Sequence, residues 1–323
     1  MAFSTPLRPF ALLLGMTLLV SGCSGHPAEG AEGDEAGTSV EASPDGAPTE
    51  APSDEAPSDE ATTSDSIDAV EALEQEYDAR VGVFMIDLED GSALSHQGDE
   101  RFGFASTMKT FAVAALLHST DAEELDDRVQ WTAEDIEAAG YSPVTEQAVD
   151  TGLTWRELAE AAVRESDNTA MNLILERLGG PEGLQHALEE IGDSVSRPVD
   201  LEPELNDVDE DDAANTSSAE ALAENLERLV ADEWLDEDDR HLLLEWMSDN
   251  PTGDTLIRAG APEGWSVAEK SGGAGAIRND VAVLDSPEGE QVVLVVLTER
   301  NDTDAEYEDA LVAEVAEAVL PTG

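Results

Sequence analysis

The chain predicts an α/β fold of the α+β type: one antiparallel sheet assembled from both chain ends, flanked by helices, with an all-helical lobe inserted between them. Three observations lead there. Short runs dense in β-branched residues lie near both ends of the core-forming part, and patterns of helical period fill its middle. That part is roughly 255 residues long, which suits one large domain or two interlocked lobes.

Before it come two segments of different character. Residues 1–22 read as an export signal: Arg8 stands alone in the n-region, and the apolar stretch Phe10–Val20 is too short to span a bilayer. Val20-Ser21-Gly22-Cys23 then places one aliphatic and two small residues before a cysteine, which resembles a bacterial lipobox. In such signals the peptidase cuts before the cysteine, whose thiol carries a diacylglycerol. Cys23 is the only cysteine, so an intrachain disulfide is excluded. The expected location is outside the cytoplasm, lipid-anchored through Cys23 on the outer face of the cytoplasmic membrane, with some protein released. Residues 23–64 are Ala, Glu, Asp, Pro, Ser, Thr and Gly in the main, with the imperfect repeat APSDEAPSDEA, and predict a disordered acidic tether. Residues 65–323 form the folded domain.

Within it, Arg80 to Leu88 predicts a strand, Glu89-Asp90-Gly91 a turn, and Ser92 to Gln97 the returning strand. Phe111 to Leu117 is strongly helical, with Ser106 expected in the helix's first turn. Thr154 to Leu178 holds two helical stretches broken near Ser166, and Ala219–Leu229 and Arg240–Met247 add more. Trp265 to Glu269 reads as a strand. Asn279–Leu284 and Gln291–Thr298 follow as strands around SPEGE, and Tyr307–Leu320 closes the chain as a helix.

The formal net charge is −60, from 75 acids against 15 bases. That excludes general nucleic-acid binding, which needs a basic face, and docking on anionic lipid through surface charge. Self-repulsion of this size keeps a protein soluble in strong salt, so a salt-rich habitat is expected. Thirteen of the bases are arginine and two are lysine, Lys109 and Lys270.

Both lysines sit in motifs. Ser106-Thr107-Met108-Lys109 places a hydroxyl and an amine three residues apart, on one helix face. A serine is a poor nucleophile unless a nearby base takes its proton, and a lysine is a base only if burial or a neighbouring cation lowers its pKa. Arginine does not deprotonate in proteins, which accounts for lysine here. Ser166-Asp167-Asn168 interrupts a helical segment and offers a hydroxyl and an amide. Lys270-Ser271-Gly272-Gly273 offers a cation beside glycines that allow close backbone approach to a ligand. His96, His118, His186 and His241 lie near none of these motifs, and neither a Gly-x-Ser-x-Gly elbow nor a zinc-binding spacing occurs.

Ser-x-x-Lys, Ser-Asp-Asn and Lys-Ser/Thr-Gly in that order resemble the penicillin-recognising serine enzymes. Glu202-Pro203-Glu204-Leu205-Asn206 resembles the loop that marks class A serine β-lactamases. The resemblance runs from about Ala69 to Leu320. It implies the serine β-lactamase/transpeptidase-like fold, with residues 65–323 as the catalytic domain. It also implies hydrolysis of β-lactam amides of the penicillin type through an acyl-enzyme, conferring antibiotic resistance. The implied roles are Ser106 as nucleophile, Lys109 or Glu202 as its base, Ser166 as proton relay, and Glu202 with Asn206 activating water. Asn168, Lys270, Ser271 and Gly273 are implied to bind substrate, and Tyr141 to flank the cleft mouth. Arg258 is implied to meet the substrate carboxylate, with Arg278 competing for that task. The partners implied are a small β-lactam and, through Cys23, the membrane. No nucleic acid and no metal or organic cofactor are implied, and a monomer is expected.

Two features depart from the family pattern. An arginine usually lies two residues before the loop glutamate and pairs with an aspartate at the loop's end; Asp200 and Asn215 hold those places. The turn after Lys270, GGAGAI, is about one residue short. The other readings are a D,D-peptidase acting on peptidoglycan and a sensor that acylates without turnover.

Overall fold

Residues 59–209, 212–231 and 234–321 are described by the computed structural model. The expected signal segment and lipobox, with most of the expected tether, lie outside them. Helix α1 (Asp59–Tyr77) leads into strand β1 (Ala79–Asp87), which returns as β2 (Ala93–His96). The turn between them forms because Asp90 Oδ1 accepts from Ser92 N and Gly91 takes a positive φ of 74°. The two-residue strand β3 (Phe102–Gly103) precedes the central helix α2 (Met108–Ser119). The helical lobe follows, with β4 (Arg128–Val129), α3 (Ala133–Ala139), β5 (Leu153–Thr154), α4 (Trp155–Arg164), α5 (Asn168–Leu178) and α6 (Pro181–Glu190). Then come β6 (Thr216–Ser217), α7 (Ala219–Ala231), α8 (Glu237–Met247) and the short α9 (Ile257–Gly260). Strands β7 (Ser266–Ala274), β8 (Ile277–Asp285) and β9 (Gln291–Arg300) and helix α10 (Asp309–Val319) complete the chain.

The sheet order is β2-β1-β9-β8-β7, every pair antiparallel, so the first long strand lies beside the last. The fold class is the one expected. Period-two alternation in β9 divides the interior. Val293, Val295 and Leu297 face the core shared with the helical lobe, while Val292, Leu294 and Val296 face a second core under α1 and α10. The middle of α2 is apolar on every face because it is enclosed on every face: Phe111 to Leu117 are all buried. Each large side chain there contributes about 1.5–3 kcal/mol.

Three elements differ from expectation. Helix α1 begins at Asp59, inside the segment expected as tether. Ser106 lies in a 3-10 turn, Ala105–Thr107, that precedes α2 rather than in its first α-helical turn. Strand β7 runs to Ala274, so Lys270-Ser271-Gly272-Gly273 is strand, not the segment after one. Pairing of Gly272 with Asn279 and Gly273 with Arg278 overrides the low strand propensity of glycine.

Candidate active site

The nucleophile turn is held at both ends. Phe104 N donates to Asn215 O at 3.2 Å, and Thr107 Oγ1 donates to Phe104 O at 2.6 Å. Ala105 takes a φ of +46°, a strained conformation for alanine, directly before Ser106. On the sheet side the turn rests against Gly272. A Cβ there would lie 3.0 Å from Phe104 O and 3.1 Å from Thr107 N, so only glycine lets β7 come this close.

Lys109 is completely buried beneath this turn. Its Nζ lies 2.8 Å from Ser106 Oγ, 2.7 Å from Asn168 Oδ1, 3.0 Å from Ser166 O and 3.3 Å from Ser166 Oγ. It also lies 2.8 Å from Glu202 Oε1, in an ion pair with both partners enclosed. An ammonium has three protons for these five acceptors, so they compete. Burial lowers the Lys109 pKa, opposed in part by the Glu202 carboxylate.

The Ser-Asp-Asn segment is fixed by its middle residue. Buried Asp167 caps α5 through Ala170 N at 2.9 Å and accepts from Val144 N, Thr145 N and Thr145 Oγ1. This ties the segment to the loop carrying Tyr141, whose carbonyl accepts from Asn168 N at 2.9 Å. Ser166, at φ +55°, presents its Oγ to Lys109 and, at 3.2 Å, to Lys270 Nζ. Lys270 is also completely buried and donates to Ser271 O at 2.7 Å. Burial first, and the neighbouring Lys109 cation second, push its pKa well down.

Glu202 is 2 % exposed and clamped from behind. Its N–H donates to Asn172 Oδ1 and its carbonyl accepts from Asn172 Nδ2, both at 2.8 Å. Its Oε2 accepts from Asn206 Nδ2 at 2.8 Å. Asn206 Oδ1 is buried without a protein partner. The ends of the loop are joined by Asn215, whose Oδ1 accepts from Val199 N and Asp200 N and whose Nδ2 donates to Asp200 Oδ2. The departure from an arginine–aspartate pair is thus filled by an amide–carboxylate bond.

Ser106, Ser166, Asn168, Glu202, Asn206, Ser271 and Gly273 line one cleft of about 470 Å³, with Tyr141 exposed at its edge. Lys109 and Lys270 lie beneath its floor. Arg258 is not brought to it: its guanidinium pairs with Glu269 at 2.7 Å and Asp254 at 2.9 Å. The expectation for Arg258 is corrected, because Glu269 is a fully buried acid beside it. The arginine in the cleft is Arg278, on β8 opposite Gly273. Asn172, Thr252, Tyr307 and Asp309 also serve the site and were not singled out from the sequence. Thr252 Oγ1 accepts from Ser271 Oγ at 2.9 Å, and Asp309 holds Arg278 Nε at 2.7 Å. A larger cavity of about 570 Å³, lined in part by Arg80, Arg101, Val208 and Arg300, contains none of the motif residues.

Residues 64–322 match the model of the β-lactamase enzyme family. The chain is 45 % identical over 249 residues to a β-lactamase of Bacillus licheniformis, covering 77 % of this chain and 80 % of that one. It is 44 % identical to a β-lactamase of Amycolatopsis lactamdurans, covering 77 % and 82 %. Among solved structures, the class A β-lactamase of Clostridium kluyveri superposes with a TM-score of 0.76 at 39 % identity, covering 78 % of this chain and 96 % of that one. A halotolerant bacterial β-lactamase superposes at 0.75 with 41 % identity, covering 77 % and 96 %. The chain belongs to the class A serine β-lactamase family.

Proposed function

We propose that this enzyme opens the amide of penicillin-type β-lactams through an ester on Ser106, with the buried Lys109–Glu202 pair as the proton acceptor. The observation that carries this is the Lys109 amine, 2.8 Å from both Ser106 Oγ and Glu202 Oε1. Ser106 Oγ attacks the carbonyl and its proton passes to the pair. The backbone N–H groups of Ser106 and Gly273 face the developing oxyanion. The ring C–N bond breaks, and the nitrogen takes a proton from Ser166 Oγ, which recovers one from the Lys109 amine 3.3 Å away, so the pair passes on the Ser106 proton and returns to its starting state. Glu202 then takes a proton from water, which also donates to the unpartnered Asn206 Oδ1; the resulting hydroxide cleaves the ester, and Ser106 Oγ leaves with a proton returned through the Lys109–Glu202 pair. Ser271, Arg278 and the charge of Lys270 hold the substrate carboxylate, and Asn168 the side-chain amide.

Mass spectrometry during penicillin turnover tests the assignment. Wild type is expected to turn over with little adduct, while Glu202→Ala accumulates one acyl group on Ser106. A long-lived adduct in wild type would support a peptidase or sensor instead, and no adduct with no turnover would overturn the reading.

We also assign export and lipid anchoring through Cys23, on the outer face of the membrane, with the acidic segment as spacer. Cys23→Ala is expected to move activity from the membrane fraction into the medium. Salt adaptation, supported by the net charge and by likeness to a halotolerant enzyme, predicts higher stability in molar salt than in dilute buffer. A monomer is expected in sedimentation.

A further inference from the structure

Among the described residues the exposed large apolar side chains are Tyr141, Val199, Leu201 and Tyr307. Val199 and Leu201 lie three residues and one residue before Glu202 in the loop, and both tyrosines line the cleft. The chain has only three tyrosines. Tyr307 stands beside the arginine of the cleft: the Arg278 guanidinium lies 4.8 Å from its ring centroid. Tyr307 N donates to Gly275 O at 3.2 Å, which fixes the residue to the turn between β7 and β8. Its Cε1 lies 3.3 Å from where a Cβ on Gly273 would be. The same point lies 2.9 Å from Arg278 Nη1, so the missing side chain at Gly273 is what lets both the guanidinium and the ring edge border the cleft there. Arg278 is itself oriented by Asp309 Oδ1, while Asp309 Oδ2 accepts from Thr255 Oγ1 at 2.6 Å. The ring is thus held on a fixed support, against one cation, with 39 % of the residue's surface open.

We propose that Tyr307 is a specificity-determining residue: its ring is the wall met by the group that a β-lactam carries next to its carboxylate-bearing carbon, and it favours substrates in which that group is planar and aromatic. The proposal rests on Arg278 holding the substrate carboxylate. A carboxylate at Arg278 places the adjacent ring substituent within a few ångströms of Tyr307. A planar ring stacks there, offset or edge-on, as aromatic pairs do. A methyl group makes only slight contact.

The test compares two cephalosporins with the same acylamido side chain, one with a methyl and one with a heteroaromatic substituent next to the carboxylate-bearing carbon. Benzylpenicillin is the reference. Wild type is expected to show the higher kcat/KM for the heteroaromatic compound. Tyr307→Leu is expected to lower that value roughly five- to tenfold more than it lowers the values for the other two substrates, mostly through KM. Tyr307→Phe is expected to retain the preference. An equal fall for all three substrates would mean that Tyr307 acts through Arg278, and would overturn the proposal. So would an unchanged preference in Tyr307→Leu, or turnover of benzylpenicillin with neither cephalosporin hydrolysed. Failure of wild type on benzylpenicillin as well would count against the assignment of the cleft itself.

Discussion

The side-chain amide of Asn215 donates to the Asp200 carboxylate at 2.8 Å, and this bond joins the two ends of the loop that carries Glu202. The same residue's backbone carbonyl accepts from Phe104 N, two residues before the nucleophile. One buried amide therefore links the positions of Glu202 and Ser106. Asn215→Asp keeps the shape but sets two carboxylates at hydrogen-bond distance, where both cannot stay ionised. At pH 8 the variant is expected to deacylate roughly tenfold more slowly than wild type, the cost of one lost charge-assisted bond. At pH 5 a shared proton restores the link, so the ratio of variant to wild type should rise as pH falls. Single-turnover deacylation across that range measures it; a ratio independent of pH would exclude the mechanism.

Asn172 holds the backbone of Glu202 through two hydrogen bonds and touches neither Ser106 nor Lys109 by any bond in the site. Asn172→Ala is expected to slow deacylation roughly tenfold to a hundredfold, from two bonds of about 0.5–1.5 kcal/mol each. Acylation should fall less, because the Lys109 amine that faces Ser106 Oγ is not itself held by Asn172. Burst kinetics separate the two steps, and an equal loss in both would show that the loop merely comes loose.

Gly272 sets the distance between β7 and the nucleophile turn. Gly272→Ala requires Phe104 and Thr107 to yield by a few tenths of an ångström. The turn is already strained at Ala105, so the displacement is expected to reach Ser106. A tenfold or larger fall in acylation rate is expected, since misplacement by about an ångström costs roughly a hundredfold. An unchanged acylation rate would show that the turn relaxes freely.

What was legible in the sequence depended on whether the signal was local. Strands β1, β8 and β9 announce themselves through β-branched runs, and the break at Ser166 through residues that prefer caps. Lys109 and Lys270 stood out because so acidic a chain otherwise uses arginine. The choice between Arg258 and Arg278 was not local. It turns on the buried acid Glu269, which engages the first, and on the register that sets the second opposite Gly273. Asn172 was hidden for a similar reason: in an apolar helix, one amide gives no sign that a loop thirty residues later will lie against it. The sequence pattern ends strand β7 at Glu269 because the glycines that follow resemble a turn until β8 pairs with them.

Glu269 gives a prediction about stability against pH. It is fully buried beside Asp280, and burial first, then the Asp280 charge, push its pKa up to about 10. Arg258 at 2.7 Å opposes this only in part. Asp280 is raised to about 6, chiefly by burial. An unfolded glutamate titrates near ~4.3, so between that pH and about 10 the folded chain holds a proton that the unfolded chain has released. By linkage, the contribution of this group to stability is full below the unfolded pKa and declines as pH rises toward the folded one. Glu269→Gln carries the neutral amide at every pH and removes that decline. Urea unfolding at pH 5 and pH 8 is the measurement. The variant should lose less stability than wild type between the two, a positive difference of about 1 kcal/mol or more after allowance for Arg258. Parallel losses in the two proteins would show that Glu269 is ionised in the folded enzyme and paired with Arg258 as a simple ion pair.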